Sequence, residues 1–316
     1  MPTQNILEVC DLSSAFKLLV VHLYQPPNRI EMMFRRALVV VALLASSSAV
    51  VQARSAKPFA VDTQRQPTFG LVKSTTTEPK TSLVTKTRGG DASSQKKAVV
   101  LGLILALNSG FINGCCLSGA VSANGAKQAV AAVTASWTNS ALGMASGNME
   151  QFGFLGKVIV AFMSGSIVAG YLNPSPTLFD VKTSAYALPL AIGCGALVIA
   201  AQLINSADSV KTAFLLCALA NGIQNSVTST LTGNLCRTSH YSGITSDMGT
   251  FIGQILGGNK ANIYKLKVFM GLAACFWTGG YVSYSIGKEF GSSSLLFAAG
   301  LYAAIIALYE TFAKGL

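Results

Sequence analysis

Charge is what this chain lacks most. Asp and Glu number 12 and Lys and Arg 23 in 316 residues, so 11% of the chain is charged, against roughly a quarter in soluble domains. With a mean hydropathy of +0.50, that scarcity excludes an ordinary water-soluble globule. Histidine is nearly absent too. His22 and His240 are the whole supply, which leaves no ligand set for a metal centre. The seven cysteines form no CxxC pair, and Cys115, Cys116, Cys194, Cys217 and Cys275 stand in apolar runs as small packing residues. No Ser-His-Asp spacing and no phosphate-cradling glycine loop occurs, so no enzyme, nucleotide drive or cofactor is expected. The net charge of +11 is scattered, with many of the basic residues in the N-terminal segment. They form no basic patch interleaved with aromatics, which sets nucleic acid aside as a partner.

What is present is apolar length. From Lys96 onward, runs of about twenty residues follow one another: 99–121, 154–172, 185–204, 210–230, 266–286 and 293–312. Each approaches what a helix needs to cross a bilayer. Two further segments, 129–147 and 241–256, are dotted with Ser, Thr, Asn and Gly, and read as lined crossings or as re-entrant half-helices. The expectation is an all-α, polytopic transmembrane bundle of six to eight membrane helices in a lipid bilayer.

The first hundred residues read differently. From Met32 the chain runs MMFRRALVVVALLASSSAVVQARS. Arg35 and Arg36 precede a short apolar stretch from Ala37 to Ala45, and Val51 and Ala53 are the small residues of a signal-peptidase site. Residues 1–53 are therefore read as an N-terminal extension and signal peptide, with translation starting at Met32 or Met33. Residues 54–95 are rich in Ser, Thr and Lys, poor in acids and without period, as in a transit segment or disordered linker. The pair implies the secretory route and resembles the bipartite presequence of complex plastids, in which Phe follows the cleavage site, with Phe59 several residues later here; this gives a complex-plastid membrane as the expected destination. Residues 96–316 form the membrane domain.

That domain repeats itself. ALNSGFIN (Ala106–Asn113) aligns with ALANGIQN (Ala218–Asn225), and AFMSGSIVAGY (Ala161–Tyr171) with CFWTGGYVSYS (Cys275–Ser285). Phe162 then matches Phe276, and Gly165 matches Gly279. WTNSALG from Trp137 lies opposite YSGITSD from Tyr241. Each half thus reads as a spanning helix, a polar broken segment and two spanning helices. Re-entrant segments imply six helices in inverted repeats, and crossing segments imply eight in parallel repeats. Transporter-like folds place their sites between such repeats.

Ionisable groups gather in RTSHYSGITSDMG, Arg237 to Gly249. On a helix His240, Gly243, Asp247, Thr250 and Gln254 share one face, while Ile244, Met248, Phe251 and Ile255 share the other. Ser239 or Ser242 is placed to cap its start. An Asp in hydrocarbon costs at least about 2.5 kcal/mol, so Asp247 requires a partner or water if it lies at depth. The pattern points to a site for a small solute or ion that uses Asp247 and His240, with Arg237 attracting an anionic group. A structural reading competes with it: Arg237, His240 and Tyr241 as interfacial anchors, and Asp247 as a cap. The matching face of the first half, Ser136, Asn139, Gly143, Ser146 and Glu150, is uncharged until its end. Asn113, Asn225 and Gln224, with Asn108, Ser109 and Ser226, offer carboxamides and hydroxyls for a polar solute or for interhelical hydrogen bonding. Gly110 and Gly222 let another backbone approach, and Gly165 and Gly279 are packing residues.

The GFIN helix followed by NGIQN and RTSHYSGITSDMG resembles the YoaK-type family of multispanning membrane proteins, a domain of unknown function. The resembling positions are Gln224, Asn225, Arg237, Thr238, Ser242, Gly243, Asp247 and Gly249, within residues 97–313. Where the family carries a Ser-Gly-Asn-Thr run, this chain has Trp137-Thr138-Asn139-Ser140. The resemblance implies a membrane location and a repeated helical bundle, and supplies no substrate. Two functions stay open on the residues alone: a transporter-like protein, or a non-transporting membrane scaffold or assembly protein.

Overall fold

The computed structural model describes residues 92–316 apart from 120, 123–124 and 206–208. The signal-like and linker readings of residues 1–53 and 54–95 lie outside the described residues. Eight α-helices follow one another among the described residues: α1 Ala92–Ser118, α2 Val133–Ala145, α3 Met149–Leu172, α4 Thr183–Leu203, α5 Val210–Leu231, α6 Tyr241–Leu256, α7 Ile263–Phe290 and α8 Ser294–Ala313. A single 3-10 turn, Gly291–Ser293, joins the last two. Among the described residues, four stretches are long and apolar enough to cross a membrane: Ala92–Ser118, Met149–Leu172, Thr183–Leu203 and Ile263–Ala313, the last containing both α7 and α8. α5 is less apolar because it carries Asn221, Gln224, Asn225 and five Ser or Thr residues.

Side-chain pairings give the helix directions. Along α1 and α7, Leu103 meets Gly271, Gly110 meets Phe276 and Gly114 meets Ser283, so the two run parallel. Along α3 and α5, Glu150 meets Lys211 near both starts, and Ser166 donates to the Gly222 carbonyl at 3.2 Å further on, so these also run parallel. Phe179 N–H, just before α4, donates to the Leu231 carbonyl at the end of α5. Asn205, just past α4, donates to Ser292, just before α8. α4 is therefore antiparallel to both α5 and α8. Asn108 donates to the Ala298 carbonyl and Tyr309 to the Lys97 carbonyl, which sets α1 antiparallel to α8. Hence α1, α4 and α7 point one way, and α3, α5 and α8 the other.

The two short helices fit inside this alternation. α2 joins α1 to an antiparallel α3, and α6 joins α5 to an antiparallel α7. α6 begins beside the middle of α7, where Tyr241 donates to the Leu272 carbonyl and its ring lies 4.0 Å from that of Phe276. It then runs back toward the start of α7, passing Phe269 with Phe251 and reaching Asn262 with Gln254. Leu272 is nine residues into α7, about 14 Å along the axis. α2 starts beside Asn113, five residues before the end of α1, and ends against the first turn of α3, where Ser140 donates to the Phe152 carbonyl.

The parallel pairs touch backbone to backbone. A Cβ on Gly110 would stand 2.0 Å from the Phe276 carbonyl oxygen, and one on Gly279 would stand 2.0 Å from that of Leu107. The other pair repeats the arrangement, with Gly222 against Phe162 at 2.0 Å and Gly165 against Leu219 at 2.1 Å. Small residues at these crossings let dispersion and weak Cα–H···O contacts form where lipid supplies no hydrophobic drive. We expect Gly165→Val and Gly279→Val to clash with carbonyls that have nowhere to move, costing at least about 1–3 kcal/mol by overpacking. Gly195→Ala, which meets nothing within 4 Å, should be silent. Unfolding midpoints of the purified protein in detergent compare the three.

Candidate functional site

Asn113 and Asn225 perform the same task at related places. Asn113 Oδ1 accepts from the backbone N–H groups of Val130 and Ala131, both at 3.0 Å, immediately before α2. Asn225 Oδ1 accepts from Ser239 N–H at 3.2 Å, immediately before α6. Backbone inside an apolar bundle must find partners for its polar groups, and each carboxamide supplies one where the chain turns inward. The hydrogen bonds expected of these residues thus tie a helix to an approaching segment, not one long helix to another.

A second polar group lies where α1, α5 and α8 meet. Ser109 donates to Asn221 Oδ1 at 2.8 Å, Gln224 donates to the same oxygen at 3.2 Å, and Tyr302 donates to Gln224 Oε1 at 2.6 Å. Asn221 Nδ2 closes on the Cys217 carbonyl at 3.0 Å. All four residues are fully buried. Of the two uses the sequence leaves open for Gln224, this network takes the hydrogen-bonding one and engages both of its amide atoms. Asn221 and Tyr302 went unnoticed in the sequence. Their signal is a polar atom on an otherwise apolar helix face, which demands a partner.

α6 divides its faces as the sequence predicts, but its polar stripe looks outward. Ile244 is buried and Met248 and Phe251 pack with it against Val99, Leu103, Leu272 and Cys275. Asp247 and Thr250 lie on the opposite side and are exposed. Thr250 Oγ1 is satisfied locally by the Ser246 carbonyl at 3.1 Å, and Asp247 makes no ion pair among the described residues. The apolar face of α6 is thus the one that contacts α1 and α7. Asn139 is exposed too, as are Trp137, Leu142 and Met144 of the same helix. The face of α2 turned inward is Ser136, Ser140 and Gly143, which breaks up the stripe drawn from the sequence.

Arg237 and His240 sit together at the start of α6, apart from Asp247. His240 itself occupies the cap position and makes no capping hydrogen bond, so the expected Ser239 or Ser242 cap is absent. Its imidazole folds onto the first turn: a Cβ on Gly243 would lie 2.3 Å from Nε2, so only glycine leaves the ring that place. Arg237 is half-buried and has no acidic partner among the described residues.

Long apolar helices, buried carboxamides at inward turns and glycine-mediated crossings define an integral membrane protein of the helical-bundle class. The chain belongs to the family described as "protein of unknown function (DUF1275)", which matches it over residues 101–308. No curated protein and no solved structure matches it.

Removing the Asn113 side-chain oxygen strands two backbone donors and removing that of Asn225 strands one, at about 1–3 kcal/mol for each orphaned buried group. Asn113→Leu is therefore expected to lower the unfolding midpoint more than Asn225→Leu. Limited proteolysis should open the 119–132 segment in the first variant and the 232–240 segment in the second.

Proposed function

We propose that this protein is transporter-like and moves a small solute or ion between two inverted repeats, each a long helix, a re-entrant half-helix and two further long helices. The observation that carries the reading is the direction of the helices. The first three long helices alternate in one sense and the last three in the opposite sense, with α2 and α6 each adding no traverse. The matched glycine crossings, α1 with α7 and α5 with α3, support a common origin for the halves. The matched carboxamide clamps support it as well. Broken helices that start at depth between inverted repeats are where transporters bind their cargo, because irregular backbone is tolerated there only beside protein or a wet cavity.

The repeats assign one face to the amino-terminal side. Lys96, Lys97, Lys182, Lys260, Lys265, Lys267 and Lys314 stand at helix ends on that side, against Lys127, Lys211 and Lys288 on the other. By the positive-inside rule the first face stays on the side from which the chain is inserted.

Two measurements test the proposal. With Ser146→Cys and Lys260→Cys labelled by an impermeant maleimide in sealed vesicles, six crossings put the two positions on opposite faces. Eight crossings put them on the same face, and that result would overturn the inverted repeat. Flux of protons, chloride, inorganic phosphate and a mixture of amino acids is then followed in vesicles with and without the reconstituted chain. At least one should move faster with the chain present, and Gly222→Leu, which wedges the α3–α5 crossing, should reduce that rate at least tenfold. Absence of any chain-dependent flux, together with a stable partner complex after gentle solubilisation, would assign a scaffold role instead.

A further inference from the structure

The start of α6 is short of partners in several independent ways. An α-helix leaves its first N–H groups without intrahelical acceptors, and here no side chain caps them. Thr238, two residues before the cap, is fully buried, and its hydroxyl has no hydrogen-bond partner. Such an orphan costs about 1–3 kcal/mol, so a native structure keeps it for a reason. Arg237 adjoins it without an acidic partner among the described residues. The same end carries the positive pole of the helix dipole. α2 repeats the pattern without the charge. Its cap residue, Ala132, offers no side-chain acceptor. Ser136 in its first turn is buried with an unpartnered hydroxyl, and its Cβ leans toward the helix start as every helical Cβ does. Buried side-chain oxygen and nitrogen atoms without a partner number three among the described residues, and two of them sit at these two helix starts.

The geometry points to an anion site at the start of α6, formed by the first-turn N–H groups, the Thr238 hydroxyl and the Arg237 guanidinium, and fitted to a small oxyanion or a phosphate monoester group. Every one of these groups is a donor, and the guanidinium fork matches two oxygens of one tetrahedral anion. The Asn225 clamp takes the Ser239 N–H and so fixes the chain between Arg237 and the first turn of α6. His240 folded over Gly243 covers the first turn and limits the size of what fits. This inference rests on the proposed re-entrant geometry, and it names the class of cargo or bound headgroup that such a geometry takes.

The test is binding, measured apart from flux. Purified full-length protein in detergent is titrated with sodium phosphate and with sodium sulfate at constant ionic strength, and its unfolding midpoint is followed. Midpoints should rise saturably with either salt. Arg237→Gln and Thr238→Val should each weaken the apparent affinity about tenfold or more. Thr238→Ser should restore it, which separates loss of the hydroxyl from misfolding. Lys211→Gln, the same charge change at a remote exposed ion pair, should leave it unaltered. A second arm measures retention of phosphatidic acid after delipidation. Phosphatidic acid retained by the wild type and lost in Arg237→Gln, without a response to free phosphate, assigns the site to a lipid headgroup. A phosphate response without retained lipid assigns it to a free anion. No response in either arm, or responses unchanged in Arg237→Gln and Thr238→Val, overturns the inference. Binding without flux would count against the transport reading alone.

Discussion

A peptide group in the middle of an apolar bundle must be hydrogen-bonded, and the structure is organised around two places where the chain would otherwise break that rule. Long helices satisfy their own backbone. The segments after α1 and α5 do not, because each turns inward before the next helix begins. Asn113 and Asn225 resolve this with one side-chain oxygen apiece, accepting two N–H groups in the first case and one in the second. The amide oxygen carries no charge, so it accepts without the desolvation cost of a carboxylate. Once these turns are held, α2 and α6 can start beside the middle of neighbouring helices, and the long helices on either side of each run in opposite directions.

The glycine crossings follow from the same economy of polar groups. In lipid, helices gain nothing by merely hiding leucines from one another, so association depends on close packing and on whatever hydrogen bonds can be shared. Gly110, Gly165, Gly222 and Gly279 bring a neighbouring carbonyl within the space a methyl group would fill. Ser166 and Ser226 then link the α3–α5 backbones directly, at 3.2 and 3.5 Å. On the α1–α7 side, Ser283 occupies the space beside Gly114.

Most of the architecture was legible because membranes simplify the code. Every long helix announced itself as an apolar run, and α6 begins and ends where its pattern of Ile244, Met248 and Phe251 predicts. α1 starts several residues ahead of its apolar run because Ser94, Lys96 and Lys97 continue the helix beyond the hydrophobic stretch. Periodicity did not say which face of α6 turns inward. A stripe containing Asp247 looks like a lining, yet Ile244, Met248 and Phe251 turn to α1 and α7 and leave it outside. In α2 the reverse occurs: small polar residues pack against α3, and Trp137, Leu142 and Met144 are left outside. Small side chains permit close helix contact whether or not they are polar, so hydropathy alone ranks such a face wrongly. The buried network was half visible. Gln224 stood out in GIQN, whereas Asn221 and Tyr302 acquire meaning only when α5 and α8 are brought together.

The two short helices, α2 and α6, are alike in position and unlike in chemistry. Both begin without a side-chain cap, and both have a buried hydroxyl without a partner nearby. Arg237 and His240 accompany α6, while no ionisable residue occurs between Gln128 and Asn148 in the segment that holds α2. The guanidinium therefore stands at the start of one short helix only, and the start of the other has no charged counterpart. The positive end of a helix dipole is reinforced by a fixed charge in the first case and left to the backbone alone in the second.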